Sequence, residues 1–165
     1  MPPSARTILV CEAQVPFVHG GAEVHVRELL RELQERGFDA ELVSVPFKWY
    51  PKEEILPHAA AWRLLDLSES NGRPVDLVIA SKFPTYFVRH PNKVAWLIHQ
   101  YRAAYELCGT PYSDFGHNEA DLGLRDTLTL AVLRQGQFQR QLLELAGPVL
   151  QFRRTLDHFA LQRPG

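Results

Sequence analysis

The chain has 165 residues, about the length of one ordinary domain, and its content of 45% hydrophobic and 22% charged residues is typical of a soluble globular protein. A formal net charge of −1, with no basic stripe, argues against nucleic-acid binding. Cys11 and Cys108 are the only cysteines, too few for a disulfide framework. The seven histidines show no spacing typical of a metal site, so we expect no metal and no cofactor.

The N-terminal segment does not resemble a targeting or membrane segment. MPPSAR carries one basic residue, and the apolar run that follows it is shorter than the core of a signal peptide or a membrane span. We therefore expect a cytoplasmic protein, with peripheral membrane contact left open.

The first part of the chain has a strand–helix–strand pattern. Continuous or near-continuous apolar runs predict strands over 7–12 and 40–45. Between them, Gly20-Gly21 opens a helix that we expect to end before Gly37, in the position of a C′ glycine. Its apolar positions recur at spacings of three and four: Ala22, Val26, Leu29, Leu30 and Leu33. Such a βαβ unit builds a parallel sheet.

Two further strands are predicted, over 75–80 and 93–99. A helix is expected over 51–67, with one apolar face: Leu56, Ala60, Leu64 and Leu67. The segments between these elements are predicted as turns or polar loops: 71–74, 81–84 and 89–92. The whole pattern predicts an α/β fold, a Rossmann-like three-layer domain with a mainly parallel sheet.

The rest of the chain carries less pattern. Residues 106–116 are expected to be irregular and 119–146 mostly helical. We assign 1–130 to the Rossmann-like domain and 131–165 to a helical or irregular tail, because that stretch alternates leucine with Gln and Arg and offers no strand.

Three loops are expected at the carboxyl edge of the sheet, where open parallel sheets bind ligands. They are Gly20-Gly21 after the first strand, Ser81-Lys82 after the third, and 99–102 after the fourth. The glycine pair has two interpretations. Its backbone N–H groups at the start of a helix suit a phosphate, or the two glycines serve only the geometry of a turn.

The polar side chains of this edge also have a functional and a structural interpretation. His99 is either a catalytic group or a structural hydrogen-bonding residue, and Lys82 either pairs with an anion or is solvated. Arg102 either grips a phosphate or carboxylate or forms a surface ion pair. The neighbouring aromatic residues either stack on a sugar or pack in the core: Trp49, Tyr50, Phe83, Tyr86 and Tyr101.

Several familiar sites are excluded by their motifs. The glycine turn lacks both the GxGxxG spacing of a dinucleotide site and a Walker lysine, and the chain has no GxSxG nucleophile and no DxD motif.

Three stretches, taken in order, resemble the N-terminal domain of family 4 glycosyltransferases, which is one half of the two-domain GT-B fold. They are PFVHGGAE with the helix that ends at RGFDA, DLVIASKFPTY from Asp76, and HPNKVAWLIHQYR from His90. In that family a Gly-Gly-Ala-Glu loop follows the first strand, and the helix ends in an Arg-Gly-His-type turn. The resemblance covers about residues 6 to 130.

This resemblance implies a retaining transferase that moves a sugar from a nucleotide-diphosphate donor to a sugar or lipid-linked acceptor. By analogy Gly20 and Gly21 would approach the donor phosphates, and His99 would face the reacting sugar. Lys82, Tyr101 and Arg102 would be substrate-binding residues of the same edge. In such enzymes the N-terminal domain binds mainly the acceptor.

The chain departs from the family in lacking its C-terminal, nucleotide-binding half, with the paired glutamates eight residues apart. We therefore expect the isolated chain to be inactive and to need a donor-binding domain, in cis or on a separate chain. A truncation or a frameshift of the tail would explain the departure. The alternatives are a non-catalytic Rossmann-like binding module or relic, and an unrelated flavodoxin-like domain. A receiver is disfavoured because paired aspartates do not follow the first strand.

Overall fold

A computed structural model of the chain describes residues 6–98 and 101–133. The elements run in the order β1 (Thr7–Gln14), α1 (Gly21–Glu35), β2 (Asp39–Pro46), α2 (Ile55–Leu64), β3 (Glu69–Ser70), β4 (Arg73–Pro74), β5 (Leu77–Ala80), β6 (Lys93–Ala95) and α3 (Glu119–Leu133). Short 3₁₀ turns lie at Lys52–Glu54, Thr85–Phe87 and Arg102–Ala104.

Four strands form one parallel sheet in the order β2-β1-β5-β6. In β1, Ile8 pairs with Leu77 of β5 on one side and with Ala40 of β2 on the other. The segments 7–12 and 75–80 are therefore parallel neighbours, within the mainly parallel sheet that the sequence predicted. The α/β class and its Rossmann-like parallel sheet are confirmed.

The two faces of the sheet are covered by different elements. Helix α1 packs its buried residues on the face that carries Ile8, Val10, Leu77 and Ile79. The opposite face, which carries Cys11, Ala13, Val78 and Ala80, is covered by α2, by α3 and by an aromatic cluster. The result is three layers, with β1 and β5 buried between them.

Helix α1 ends as the sequence predicted. Gly37 adopts a φ of 83°, which a residue without a Cβ atom accepts readily. Its N–H donates to Gln34, and the N–H of Phe38 donates to Leu33 at 3.1 Å, which together make a Schellman motif. Two ion pairs lie on the exposed side of α1, Arg31 with Glu35 and Arg36 with Glu32.

The predicted apolar face of the second helix is correct only in part: Leu56 and Leu67 are half-buried against the core. Leu64 is 78% exposed and Ala60 is exposed, whereas Ile55, Ala59 and Trp62 are buried. Nearly every side chain of this ten-residue helix is apolar, so its periodicity allowed more than one face. The choice follows from the volume of Trp62, which fills the space beneath the sheet.

Other boundaries differ in smaller ways. The fourth strand ends at Ala95 instead of 99, and the turn at 71–74 is the centre of a hairpin between β3 and β4. Asn71 and Gly72 both have positive φ, as a two-residue hairpin turn requires. The loop 81–84, expected to be polar, is buried throughout. Helix α3 ends its described part at Leu133, and the predicted continuation and tail lie outside the described residues.

The orientation of α2 can be tested by a matched pair of substitutions. Trp62→Ala should lower the free energy of unfolding by about 3–5 kcal/mol, because it empties a fully buried site. Leu64→Ala should change it by less than about 0.5 kcal/mol, because that side chain is in water. Urea unfolding of both variants measures the difference. Equal costs would place the buried face of α2 elsewhere.

Candidate functional site

The start of α1 is tied together by a glutamate. Glu23 is the third residue of the helix, and its Oε2 accepts a hydrogen bond from the Gly20 N–H at 3.0 Å. This is the return half of a capping box, which satisfies one of the orphan donors of a helix N-terminus. A Cβ on Gly20 would lie 3.2 Å from Glu23 Oε2, so glycine gives the carboxylate room to reach back.

The other oxygen of Glu23 binds the lysine that the sequence placed at the carboxyl edge. Lys82 Nζ donates to Glu23 Oε1 at 2.9 Å, and the two side chains are only 9% and 7% exposed. The structure thus brings Gly20, Gly21 and Lys82 together, as the edge hypothesis required. Lys82 is not solvated, and its charge is matched by a partner from the chain itself.

The environment of Glu23 keeps it ionised. Burial alone would raise the pKa of Glu23, but the hydrogen bond from Lys82 and the N–H groups of Gly20 and of Glu23 itself outweigh this, so that its pKa lies below its ordinary value. The positive end of the helix dipole favours the same charge state.

Gly21 has no comparable structural reason to be glycine. A Cβ built on it would meet no atom within 4 Å among the described residues, and its φ lies outside the left-handed region. Any residue would therefore fit the fold at this first helical position. The space in front of it is open at the point where the helix presents its unpaired N–H groups.

Two residues missed by the sequence analysis also lie at this edge. Glu12 is the third residue from the end of β1 and is almost completely buried. Ser44 of β2 lies beside it. The sequence signal for Glu12 was a charged residue in a mostly apolar strand, on the same face as the apolar residues Ile8 and Val10. Glu23 was quoted only as part of a motif, since only the fold shows what its side chain reaches.

The remaining predicted site residues lie elsewhere or outside the description. Tyr101 packs edge-on or tilted against Phe47, Phe83 and Phe115 in the aromatic cluster on the far face of the sheet. Burial there raises the pKa of Tyr101 to about 12. Arg102 is 58% exposed and forms an ion pair with Glu106. His99 lies outside the described residues.

The aromatic residues near the loops divide into two groups. Phe83 and Tyr86 are buried in the core, in agreement with the structural interpretation. Trp49 and Tyr50 follow β2, contact each other and are exposed, so their side chains are accessible to a ligand or partner. On α1, His25 stacks edge-on against Trp96 at 4.8 Å between ring centroids.

Residues 6–98 and 101–133 contain no cluster of three or more histidine, cysteine or acidic side chains that could hold a metal ion. Among the helices described, none is both long enough and apolar enough to cross a membrane.

Comparisons with family models, with curated proteins and with solved structures give no match to this chain. The functional argument therefore rests on the residues and their geometry.

The Glu23–Lys82 pair should be essential to stability. Lys82→Met should lower the free energy of unfolding by about 3–5 kcal/mol, because it leaves the Glu23 carboxylate buried without its cation. The double variant Glu23→Gln with Lys82→Met should recover part of the loss. Glu28→Gln on the same helix is the control, since its pair with Arg31 is exposed and worth less than about 1 kcal/mol.

The same pair should give an acid-sensitive stability. Because the pKa of folded Glu23 is depressed, its contribution is complete above the unfolded value of about 4.3 and is lost as the pH falls through the folded value. The dependence of unfolding free energy on pH should be flatter below about pH 4 in Glu23→Gln than in the parent. Superimposable pH profiles would show that Glu23 is not stabilised as a carboxylate.

Proposed function

We propose that this chain is the acceptor-side Rossmann-like domain of a retaining GT-B glycosyltransferase. It would bind a sugar or lipid-linked acceptor and act with a second domain, on the same or another chain, that binds the nucleotide-diphosphate sugar. The proposal combines the order of the three sequence stretches with the geometry at the start of α1.

The observation that carries the proposal is Gly21. The fold has room for a side chain there and demands no special backbone angle, so glycine serves no visible packing purpose. A glycine that keeps backbone N–H groups uncovered at a helix start lets a phosphate approach closely. Gly20 is explained differently, by the contact that Glu23 makes with it.

The charges at this edge favour a two-domain enzyme. Lys82, which reaches the first turn of α1, is paired with Glu23, and Glu12 adds a second carboxylate. The backbone dipole alone is a weak counter-charge for a leaving diphosphate, whose stabilisation is usually the largest catalytic contribution. The missing positive charge would come from the second domain.

His99 keeps its proposed role as the group that faces the reacting sugar. It follows Ile98, whose N–H donates to Ser81 at 2.9 Å, so the backbone leading to it runs beside the end of β5. Ile98 continues β6, which lies one strand further from β1 than β5 does.

The isolated 165-residue protein should show no multiple-turnover transfer with common nucleotide sugars. The physical reason is that Lys82 beside the glycine turn is already paired with Glu23, while stabilisation of the leaving diphosphate is usually the largest catalytic contribution. A radiolabelled-sugar transfer assay with a mixed acceptor pool makes the measurement. Sustained turnover by the purified chain would contradict the two-domain proposal.

Gly21 should matter when a nucleotide-binding domain is present and transfer has been established for the parent protein. Gly21→Val and, separately, His99→Ala should each lower kcat/KM at least about tenfold, roughly 1.4 kcal/mol of transition-state stabilisation. Gly123→Val is the matched control, because Gly123 is also open and helical but lies in α3.

Thermal unfolding of the same variants separates chemistry from folding. Gly21→Val should melt close to the parent, since its Cβ meets nothing. If Gly21→Val and Gly123→Val transfer sugar equally well, the glycine turn does not approach the donor, and the binding-module alternative is favoured.

A further inference from the structure

Strand β2 is a long edge strand. It lies at one end of the described sheet and pairs with β1 along all 8 of its residues, without a bulge. An edge strand offers a row of N–H and C=O groups to another chain, so folded proteins protect their edges with lysine, proline, bulges or short length. Of these devices, β2 has only Pro46, at its last position.

The pairing with β1 determines which backbone groups of β2 point away from the sheet. The Asp39 N–H donates to the Arg6 carbonyl at 2.9 Å, so the odd-numbered residues of β2 face β1. Three even-numbered residues direct both their N–H and their C=O groups outward: Ala40, Leu42 and Ser44. The Ala40 carbonyl accepts a hydrogen bond from the Gln34 side chain and keeps a second lone pair. No described strand pairs with this outer edge.

Apolar side chains along the same edge are only half-buried. They are Leu30, Leu42, Val43 and Val45. Leu30 lies one helical turn before Gln34, whose side chain reaches Ala40, so Leu30 is on the β2 side of α1. A strand added here would extend the sheet and both of its covering layers, and these side chains would leave water.

The sequence of β2 is complementary to a second, antiparallel copy of itself. In an antiparallel pair, the outward residues of the two strands oppose each other and exchange two hydrogen bonds per pair. Centring the pairing on Leu42 places Leu42 opposite Leu42 of the copy and Ala40 opposite Ser44, for roughly six bonds in all.

The charges and the proline of β2 favour this register over its neighbours. Centred on Leu42, the pairing places each Glu41 opposite Val43, and the two Glu41 carboxylates are diagonal neighbours about 7–8 Å apart. Centred on Glu41, it would place like charges directly opposite each other, which is destabilising. Centred on Val43, it would bring Pro46, which has no N–H to donate, into the ladder opposite Ala40.

We propose that two copies of this chain pair through the outer edge of β2, antiparallel and centred on Leu42, so that their two four-stranded sheets become one. The two-fold axis is perpendicular to the sheet, so Leu30 and Leu42 of both copies meet on the α1 face and the valines meet on the other. Such an isologous contact is the commonest arrangement of oligomers. The contact is small, so its Kd is expected in the micromolar range. It is independent of the proposed transferase function.

Sedimentation equilibrium of the full 165-residue protein tests the association. The parent should reach twice the mass of one chain as its concentration rises. Leu42→Lys should weaken dimerisation at least about tenfold, because it places two ammonium groups opposite each other at the axis. Leu64→Lys is the matched control: it adds the same charge in place of an exposed leucine of α2 and should leave the Kd unchanged.

Two results would overturn the proposal. One is a parent that stays monomeric up to about 1 mM, where even weak association is populated. The other is the same Kd in Leu42→Lys and Leu64→Lys, which would place the contact away from β2.

The register has its own test, because residue 42 opposes itself. Leu42→Lys and Leu42→Glu should each be monomeric alone, whereas an equimolar mixture should dimerise, since opposite charges then meet at the axis. A mixture that remains monomeric while both variants melt as folded proteins would show that residue 42 does not face its copy.

Hydrogen exchange tests the parent without any substitution. The outward amides of Leu42 and Ser44 should exchange more slowly as the protein concentration rises, because the second copy bonds them. The amides of Val43 and Val45 point towards β1 and should be protected at every concentration. Exchange of Leu42 and Ser44 that does not change with concentration would contradict pairing through this edge.

Discussion

The buried ion pair between Lys82 and Glu23 is the interaction on which the carboxyl edge of this protein depends. One carboxylate joins the loop after β5 to the first turn of α1 and, through the Gly20 N–H, to the loop after β1. Elements far apart in the chain are thus fixed around one charge. The pair is buried at a place where a carboxylate is favoured by the helix dipole, which offsets part of its desolvation.

This ion pair gives the two glycines different surroundings and determines which charges lie at the carboxyl edge. Gly20 leaves room for the Glu23 carboxylate, which a Cβ there would approach to 3.2 Å, whereas a Cβ on Gly21 would meet no atom within 4 Å among the described residues. Because Lys82 is paired with Glu23, the described groups beside the glycine turn are the buried carboxyl group of Glu12 and the N-terminal dipole of α1.

The two faces of the sheet have separate roles. The α1 face ends in polar and backbone groups at the carboxyl edge, whereas the opposite face ends in an aromatic cluster around Phe83 and Tyr101. Lys93 stabilises that second face, because its ammonium group donates hydrogen bonds to the backbone carbonyls of Tyr86 and Val88. Tyr101 and Arg102 are close to the glycine turn in the predicted topology, yet their side chains belong to the aromatic cluster and to an exposed ion pair.

The sequence by itself determined the elements whose signals are local. Continuous apolar runs predicted the buried strands, and the spacing of apolar residues predicted α1. Gly37 and Asn71-Gly72 predicted turns, because these residue types accept the positive φ angles that the structure shows there. The parallel relation of β1 and β2 followed from the βαβ pattern. Tertiary structure alone decided which face of α2 is buried, that Lys82 is paired instead of solvated, and that Glu12 lies buried with a free oxygen. Those outcomes depend on contacts between side chains from distant parts of the chain and on how much water these contacts exclude. A local sequence pattern encodes neither.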